Sequence, residues 1–270
     1  MNAQTMDKPM DDRCWVVARE ALGGEYYRLR LRPAQPFAAA PGQFVMLKVA
    51  DGIDPLLRRP FSIHRMHDSR EFEVLFRVVG QGTRLLAAVH VGARVDAIGP
   101  LGSSFPLDVE RPLLVGGGVG IAPLLFLTDA LLARGARPKL LLGGRSDRDI
   151  LCHDDFGCLA VPYELATEDG SLGEEGLVTH LLARELAADP EGRTVFTCGP
   201  APMLAAVAGV CAGVAVPCWV SMEANMACGV GACLGCVIPG ADGGYVRVCK
   251  EGPVFRADAV GWQKLLAGGT

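Results

Sequence analysis

Apolar and polar positions alternate in short runs over the first third of the chain. Glu25–Leu31 sets Leu29 and Leu31 against Arg28 and Arg30. Gln43–Val49 is mostly apolar and lies between Pro41-Gly42 and Asp51-Gly52. Glu71–Val79 alternates charged and apolar residues, and Arg94–Ile98 stops at Gly99-Pro100. Runs with this period, separated by Gly/Pro turns, predict the strands of an antiparallel barrel or sandwich. One short helix is predicted at Arg84–Val89, with Thr83 as its N-cap.

From Arg111 to about Val216 the pattern changes. Apolar runs at Leu113–Val115, Lys139–Leu142, Tyr163–Ala166 and Thr194–Thr197 predict buried strands. Between and after them, helices are predicted at Leu124–Arg134, at Gly176–Ala188 and from Pro200 to about Cys211. The second carries an apolar stripe of Leu177, Leu181, Leu182 and Leu186. Strand–helix alternation predicts a doubly wound parallel sheet, whose ligands bind beyond the carboxyl ends of the strands. Gly116–Gly120 and Cys198–Pro200 both fall there. The expected organisation is a tail (1–12), a β-barrel (13–108), a nucleotide-type α/β domain (109–216) and a small C-terminal module (217–270), an α+β multidomain chain.

Composition narrows the classes of function. Half of the 270 residues are apolar, enough for a sizeable core, and the formal net charge is −4. That balance argues against nucleic acid as the main partner. No uninterrupted apolar run is long enough to cross a membrane; Pro112–Thr128 comes nearest and is broken by glycines and Pro123. The first residues carry acidic side chains and no apolar signal core, so a cytoplasmic location is expected. Cys14, Cys152, Cys158, Cys198, Cys211 and Cys218 are then expected to be reduced.

The other four of the ten cysteines carry the chemistry. Cys228, Cys233 and Cys236 are spaced C-x4-C-x2-C, and Cys249 follows after twelve residues. This is the plant-type spacing for a [2Fe–2S] cluster on four thiolates. Gly229, Gly231 and Gly235 let the backbone curl around such a core. Zinc fits less well, because structural zinc sites usually show two short knuckles and only one is present. Ordinary buried thiols are the plain alternative.

Two pieces of the barrel region suit phosphate. Arg58-Arg59-Pro60-Phe61-Ser62 opens a strand with a guanidinium and a hydroxyl, and Arg grips phosphate bidentately. Val79-Gly80-Gln81-Gly82-Thr83 puts glycines at a helix start, where free N–H groups attract anions. Taken singly, a solvated edge arginine and a capped turn account for them. Upstream of a nucleotide-type domain, together, they point to a phosphate-bearing cofactor. The loop Gly116–Pro123 does not meet the dinucleotide fingerprint G-x-G-x-x-G, since Pro123 takes the third glycine's place. Arg145, not an acidic residue, follows the second strand of the sheet. His153 and His180 read as ordinary surface or helix residues.

In order along the chain, RPFS (59–62), GQGT (80–83), GPLGSSF (99–105), GGGVGIAPL (116–124), CGP (198–200) and the cysteine run resemble the ferredoxin–NADP reductase superfamily. Within it the chain resembles the electron-transfer subunits of NAD-dependent, class 1B dihydroorotate dehydrogenase, over about residues 13–260. MEANMACGVGACLGC and VCKEGPVF are the most specific parts. The resemblance implies FAD held by Arg59, Pro60, Phe61, Ser62, Phe76, Arg77, Val78, Gly82 and Thr83. It implies a nicotinamide nucleotide across Gly117, Gly118, Gly120, Ile121, Ala122 and Pro123, near Cys198, Gly199 and Pro200, with Cys198 beside the nicotinamide. It implies Cys228, Cys233, Cys236 and Cys249 as the cluster ligands. Gly102-Ser103-Ser104-Phe105 departs from the family's GNGF, and Arg145 leaves NAD against NADP open on residues alone; NAD follows from the family.

Nicotinamide exchanges a hydride and a [2Fe–2S] centre a single electron, so a flavin that can do both must stand between them. The implied partner is an FMN-containing dihydroorotate dehydrogenase catalytic subunit, in a heterotetramer of two copies of each. Residues flanking the cluster, such as Met226 and Leu234, are expected to face it. The runner-up is the FAD/[2Fe–2S] subunit of a sulfide dehydrogenase or a ferredoxin:NADP oxidoreductase. A non-enzymatic iron–sulfur sensor is the third reading.

Overall fold

A computed structural model describes residues 10–50 and 52–268. In chain order the strands and helices are β1 (Met10–Gly23), β2 (Tyr26–Pro33), β3 (Phe44–Leu47), β4 (Arg59–Asp68), β5 (Glu71–Arg77), α1 (Gln81–Ala87), β6 (Arg94–Leu101), β7 (Arg111–Gly117), α2 (Ala122–Ala133), β8 (Lys139–Gly144) and α3 (His153–Cys158). Then come β9 (Tyr163–Thr167), β10 (Glu174–Glu175), α4 (Val178–Ala188), β11 (Arg193–Cys198), α5 (Ala201–Gly213), β12 (Cys218–Ser221), β13 (Val237–Pro239), β14 (Tyr245–Arg247), β15 (Val254–Arg256) and α6 (Trp262–Ala267).

Six strands close an antiparallel barrel in the order β1-β2-β5-β4-β3-β6. The alternation seen in the sequence sets its interior: Leu29 and Leu31 are fully buried, while Arg28 and Arg30 pair with Glu20 and Glu73 on the outside. Two expectations need correction here. The segment taken as a tail is strand from Met10, which pairs with Gly99 of β6 and helps close the barrel; residues 1–9 lie outside the described residues. The short helix starts at Gln81, so Thr83 is its third residue and not its cap. The Thr83 hydroxyl accepts the N–H groups of Val79 and Gly80 at 2.9 and 3.1 Å, bracing the turn from inside the helix.

The second layer is a seven-stranded sheet, β10-β9-β8-β7-β11-β12-β15, parallel except for β15 at its edge. Its central strands bury Leu113, Val115, Leu141 and Val195 completely, each side chain contributing about 1.5–3 kcal/mol. The predicted stripe on α4 is buried at Leu181, Leu182 and Leu186, but Leu177 precedes the helix and is exposed. The expected boundary at residue 216 is not a structural one. β12 runs parallel to β11 and β15 closes the edge antiparallel to β12, so both belong to this sheet. The cysteine segment is therefore an excursion between two neighbouring strands.

One apolar cluster ties the parts together. It contains Phe44, Met46 and Leu101 of the barrel, Val195 and Leu204 of the sheet layer, and Cys236, Ile238, Val248 and Phe255 of the C-terminal segment. Ser103, where the family's asparagine is missing, fastens the same seam. Its hydroxyl donates to the Val254 carbonyl at 3.0 Å and accepts the Val254 N–H at 3.1 Å.

Candidate functional site: a nucleotide cleft and a thiol loop

A cleft of about 700 Å³ opens between the barrel and the carboxyl ends of the sheet strands. Gly117, Gly118 and Gly120 line it from the turn that leads into α2, and Gly199 and Pro200 line it from the turn after β11. Strand register brings the two turns together, because Cys198 pairs with Gly116. They touch so closely that a Cβ on Gly120 would stand 2.5 Å from Gly199 Cα. Glycine at 120 is thus a packing requirement, and the bare backbone leaves N–H groups free for phosphate at a helix start. Ile121, Ala122 and Pro123 do not line the cleft. They are buried beneath it, where they seat α2.

Cys198 is also below the cleft floor. It is 1% exposed, and its thiol bonds Ser221. Burial, together with the nearby Glu223 carboxylate, pushes the thiol far above its usual range. Cys198 is therefore a protonated neighbour of the floor and not a thiolate facing the cleft.

The barrel supplies the opposite wall through Tyr26 and Arg77. The Tyr26 hydroxyl donates to Asp149 at 2.7 Å. Burial, and that bond to a carboxylate, raise the Tyr26 hydroxyl to about 12 despite the opposing charges of Arg77 and Arg145. The Arg77 guanidinium stands 5.7 Å from the Tyr26 ring centre, and its buried Nε has no hydrogen-bond partner. An unsatisfied donor in a cleft wall suits an anionic ligand. Arg145 is exposed 3.7 Å from Asp149. Glu168, after β9, brings to this cleft the carboxylate that is missing after β8.

The residues read as flavin-binding gather on one side of the barrel. Arg59–Ser62 of β4 pair with Leu47–Phe44 of β3, and a Cβ on Gly82 would lie 3.0 Å from Arg59 Nε. Arg59 and Ser62 are half-buried and available to a ligand, as are Pro60 and Val78. Phe61 and Phe76 are not: they pack ring against ring at 5.4 Å inside the barrel core. Only their backbone can reach a cofactor. Thr83 is occupied by its own turn, as described above.

The four cysteines of the 228–249 run meet at the seam between barrel and sheet. They stand as two pairs. Cys228 and Cys233 thiols interact, and Cys236 Sγ lies 3.2 Å from Cys249 Sγ. Backbone N–H groups of the loop point at the sulfurs: Gly231 at Cys249 (3.1 Å), Ala232 and Cys233 at Cys228 (3.3 and 3.4 Å), and Gly235 at Cys233 (3.4 Å). Burial alone would raise the Cys228 thiol, but the N–H groups of Val230, Cys233 and Ala232, with the Cys233 thiol, outweigh it and hold it at about 6. Burial and the Cys236 neighbour raise Cys249 to about 12. Among the described residues no three His, Cys, Asp or Glu side chains gather as for a single ion. Two thiol pairs under converging N–H donors fit a two-iron core, whose sulfurs are stabilised by such bonds.

The loop leans on the barrel beside the flavin-side strands. Gly229, next to Cys228, packs on Met46, which pairs with Pro60. On the outer side Val230, Leu234, Val237 and Tyr245 are exposed, Leu234 at 60%. Met226 is half-buried and packs against the shared core. His153 and His180 take no part in cleft or loop.

Residues 223–261 match the iron-sulfur cluster binding domain of dihydroorotate dehydrogenase B, and residues 114–209 match the oxidoreductase NAD-binding domain. The chain is 42% identical over 259 residues to the dihydroorotate dehydrogenase B (NAD(+)) electron transfer subunit of Bacillus caldolyticus, covering 92% of this chain and 98% of that one. It is 40% identical over 231 residues to the protein of the same description from Desulforamulus reducens, covering 83% and 88%. Among solved structures, the NADH-dependent reduced ferredoxin-NADP oxidoreductase is similar at 26% identity and a TM-score of 0.82, over 97% of this chain and 94% of that one.

Proposed function

The chain belongs to the family of electron-transfer subunits of NAD-dependent dihydroorotate dehydrogenase B, and on that premise we propose how its own residues serve the transfer. It is an oxidoreductase subunit for FAD, a [2Fe–2S] cluster and NAD, and it works with a partner catalytic subunit that oxidises dihydroorotate to orotate in pyrimidine biosynthesis. No helix among the described residues is long and apolar enough to cross a membrane. We further propose that the partner carries FMN, that two copies of each subunit assemble, and that the complex is cytoplasmic.

Bound FAD supplies the exchange between single electrons and a hydride, which neither the cluster nor nicotinamide can make alone. Cys228, Cys233, Cys236 and Cys249 hold the cluster, with Gly231, Ala232, Cys233 and Gly235 N–H groups stabilising charge on sulfur. Arg59 and Ser62 hold the flavin nucleotide, with Pro60, Val78, Gly82 and the backbone at Phe61 and Phe76. Gly117, Gly118, Gly120, Gly199 and Pro200 hold the nicotinamide nucleotide, and Arg77 closes on its diphosphate from the barrel wall. Cys198 keeps its proton at Sγ and supports the floor.

The contact of Gly229 with Met46 carries this reading. It sets the first cluster ligand one strand from the flavin segment, with the nucleotide cleft beyond and the apolar rim of the loop left for a partner. The same layout fits a ferredoxin:NADP oxidoreductase subunit in general fold, but the 42%-identical relative favours dihydroorotate.

Expression with the cognate catalytic subunit tests the proposal. The complex should contain flavin and two irons per chain, and should reduce NAD+ with dihydroorotate. A purified chain with no flavin absorbance, or a complex that oxidises dihydroorotate without reducing NAD+, would overturn it.

A further inference from the structure

His64 has no part in the roles above, yet it is fully buried on the strand that carries the flavin segment. A break in the ladder puts it there. Ile63 pairs with Val74 and Arg65 with Glu73, so His64 is the extra residue of a β-bulge. Bulges re-aim side chains. Before this one the strand alternates normally, with Phe61 and Ile63 in the barrel core; after it Met66 packs on that core again. Two successive side chains, His64 and Arg65, are left to meet the nucleotide layer.

His64 Nδ1 lies 2.7 Å from the carbonyl of Ala122, the first residue of α2. A carbonyl only accepts, so Nδ1 carries the proton and Nε2 of the neutral ring is an acceptor. Burial lowers the imidazole pKa and so favours that neutral ring. Nε2 faces Cys152 Sγ at 3.8 Å. Burial and the Asp155 carboxylate push this thiol up to about 12, so it keeps the proton that the acceptor needs. One ring thus joins three segments. Ala122 follows closely on the Gly117–Gly120 turn, and Cys152 ends the stretch that brings Arg145 and Asp149 to the cleft. Ser62, of the flavin segment, is two residues back along β4. Farther along α2, Phe126 is seated in the barrel core and Asp129 Oδ2 lies 2.8 Å from Arg65 Nε.

We propose that His64 is a positioning residue for hydride transfer: its bond to the Ala122 carbonyl locks the nucleotide turn at the head of α2 to the flavin strand and so sets the nicotinamide against the flavin. This rests on the flavin reading of β4 and the nucleotide reading of the cleft. Transfer between two held rings is steep in distance, and a displacement of about 1 Å that arises far from the chemistry can cost about a hundredfold. Binding of the adenosine end depends on other contacts, so the loss of His64 acts on the rate and not on the hold.

The FAD- and cluster-loaded chain tests this. Four quantities are read: FAD content, ADP-ribose affinity by calorimetry, the stopped-flow rate of flavin reduction by NADH, and the long-wavelength charge-transfer band of nicotinamide stacked on flavin. His64→Leu, which fills the space without the bond, should slow reduction by about tenfold or more and diminish the band. Its FAD content and ADP-ribose affinity should stay unchanged. His64→Asn, which keeps a donor for Ala122, should recover most of the rate and the band. Arg65→Met, which weakens the same seam at Asp129, should lower stability in urea and leave rate and band intact. If His64→Leu does not retain FAD, His64→Ala takes its place, since it crowds nothing. A normal rate and band in the leucine variant, no recovery with asparagine, equal slowing by Arg65→Met, or loss of FAD from both the leucine and alanine variants would overturn the inference and leave the cleft assignment standing. An unaltered chain that holds no FAD or does not bind ADP-ribose would overturn both.

Discussion

Gly229 meets Met46 with no room for a side chain: a Cβ at Gly229 would stand 2.6 Å from Met46 Cγ. Its φ of +70° is also one that side-chain-bearing residues rarely adopt. Gly229→Ala should therefore strain the cysteine loop twice, the backbone part alone costing about 1–2 kcal/mol. The expected result is a lower iron content and a weaker cluster absorbance, with flavin retained. Adding Met46→Ala should restore only part of the loss, since it relieves the clash and not the φ.

Cys249→Ser should abolish stable cluster binding. Cys249 is buried, it pairs with Cys236 and it receives the Gly231 N–H. Because the ligands come from a loop and a separate hairpin, metal binding and folding are coupled. Iron analysis should fall to near zero, and limited proteolysis should open the 223–253 segment before the barrel.

Arg77 is the cleft's barrel-side cation with an orphaned Nε. Arg77→Gln should raise the KM for NAD+ by about tenfold, as expected for losing a hydrogen bond to a charged group. FAD content should change little, because the guanidinium faces the cleft. Loss of FAD with unchanged KM would return Arg77 to the flavin.

Acid should weaken the fold through the seam between the barrel and α2. His64 is fully buried, its Nδ1 donates to the Ala122 carbonyl at 2.7 Å, and its Nε2 faces Cys152 Sγ at 3.8 Å. Burial lowers its pKa below the ordinary histidine value of 6.5, against the upward pull of the Ala122 bond and of Glu73 and Asp155; Arg28 adds to the lowering. A depressed value favours the neutral ring in the folded chain. Stability is therefore full above 6.5 and is lost as pH falls below it, where the unfolded chain takes up the proton. Glu73 acts with the same sign. Burial would raise it, but the His67 bond and the Arg28 charge outweigh that and hold it low. Urea unfolding at pH 7.5 and 5.5 should show the loss, and His64→Asn, which can keep the bond to Ala122, should reduce it.

The parts legible in the sequence are those set by local spacing. The C-x4-C-x2-C run needs its ligands within one loop, and the alternation of Leu29 and Leu31 with Arg28 and Arg30 needs only a strand. What was not legible depends on distant partners. Cys218–Ser221 is four residues long, too short for a period, and becomes sheet only because β11 lies alongside. Met10–Asp12 reads as a tail until β6 pairs with it. Thr83 has the chemistry of a cap, but the helix begins earlier at a turn whose glycine carries no side-chain signal. Phe61 and Phe76 sit in flavin-type motifs, yet their rings fill the barrel.

The placement of β15 has a consequence for any attempt to divide the protein. β15 covers the edge strand β12, and it can do so only after the chain has travelled through the cysteine excursion and back. A truncation after Met222, meant to give a clean flavin–nucleotide reductase, would uncover the row of backbone donors and acceptors along Cys218–Ser221. Exposed apolar strand edges recruit other chains, so the shortened protein is expected to aggregate rather than lose only its iron.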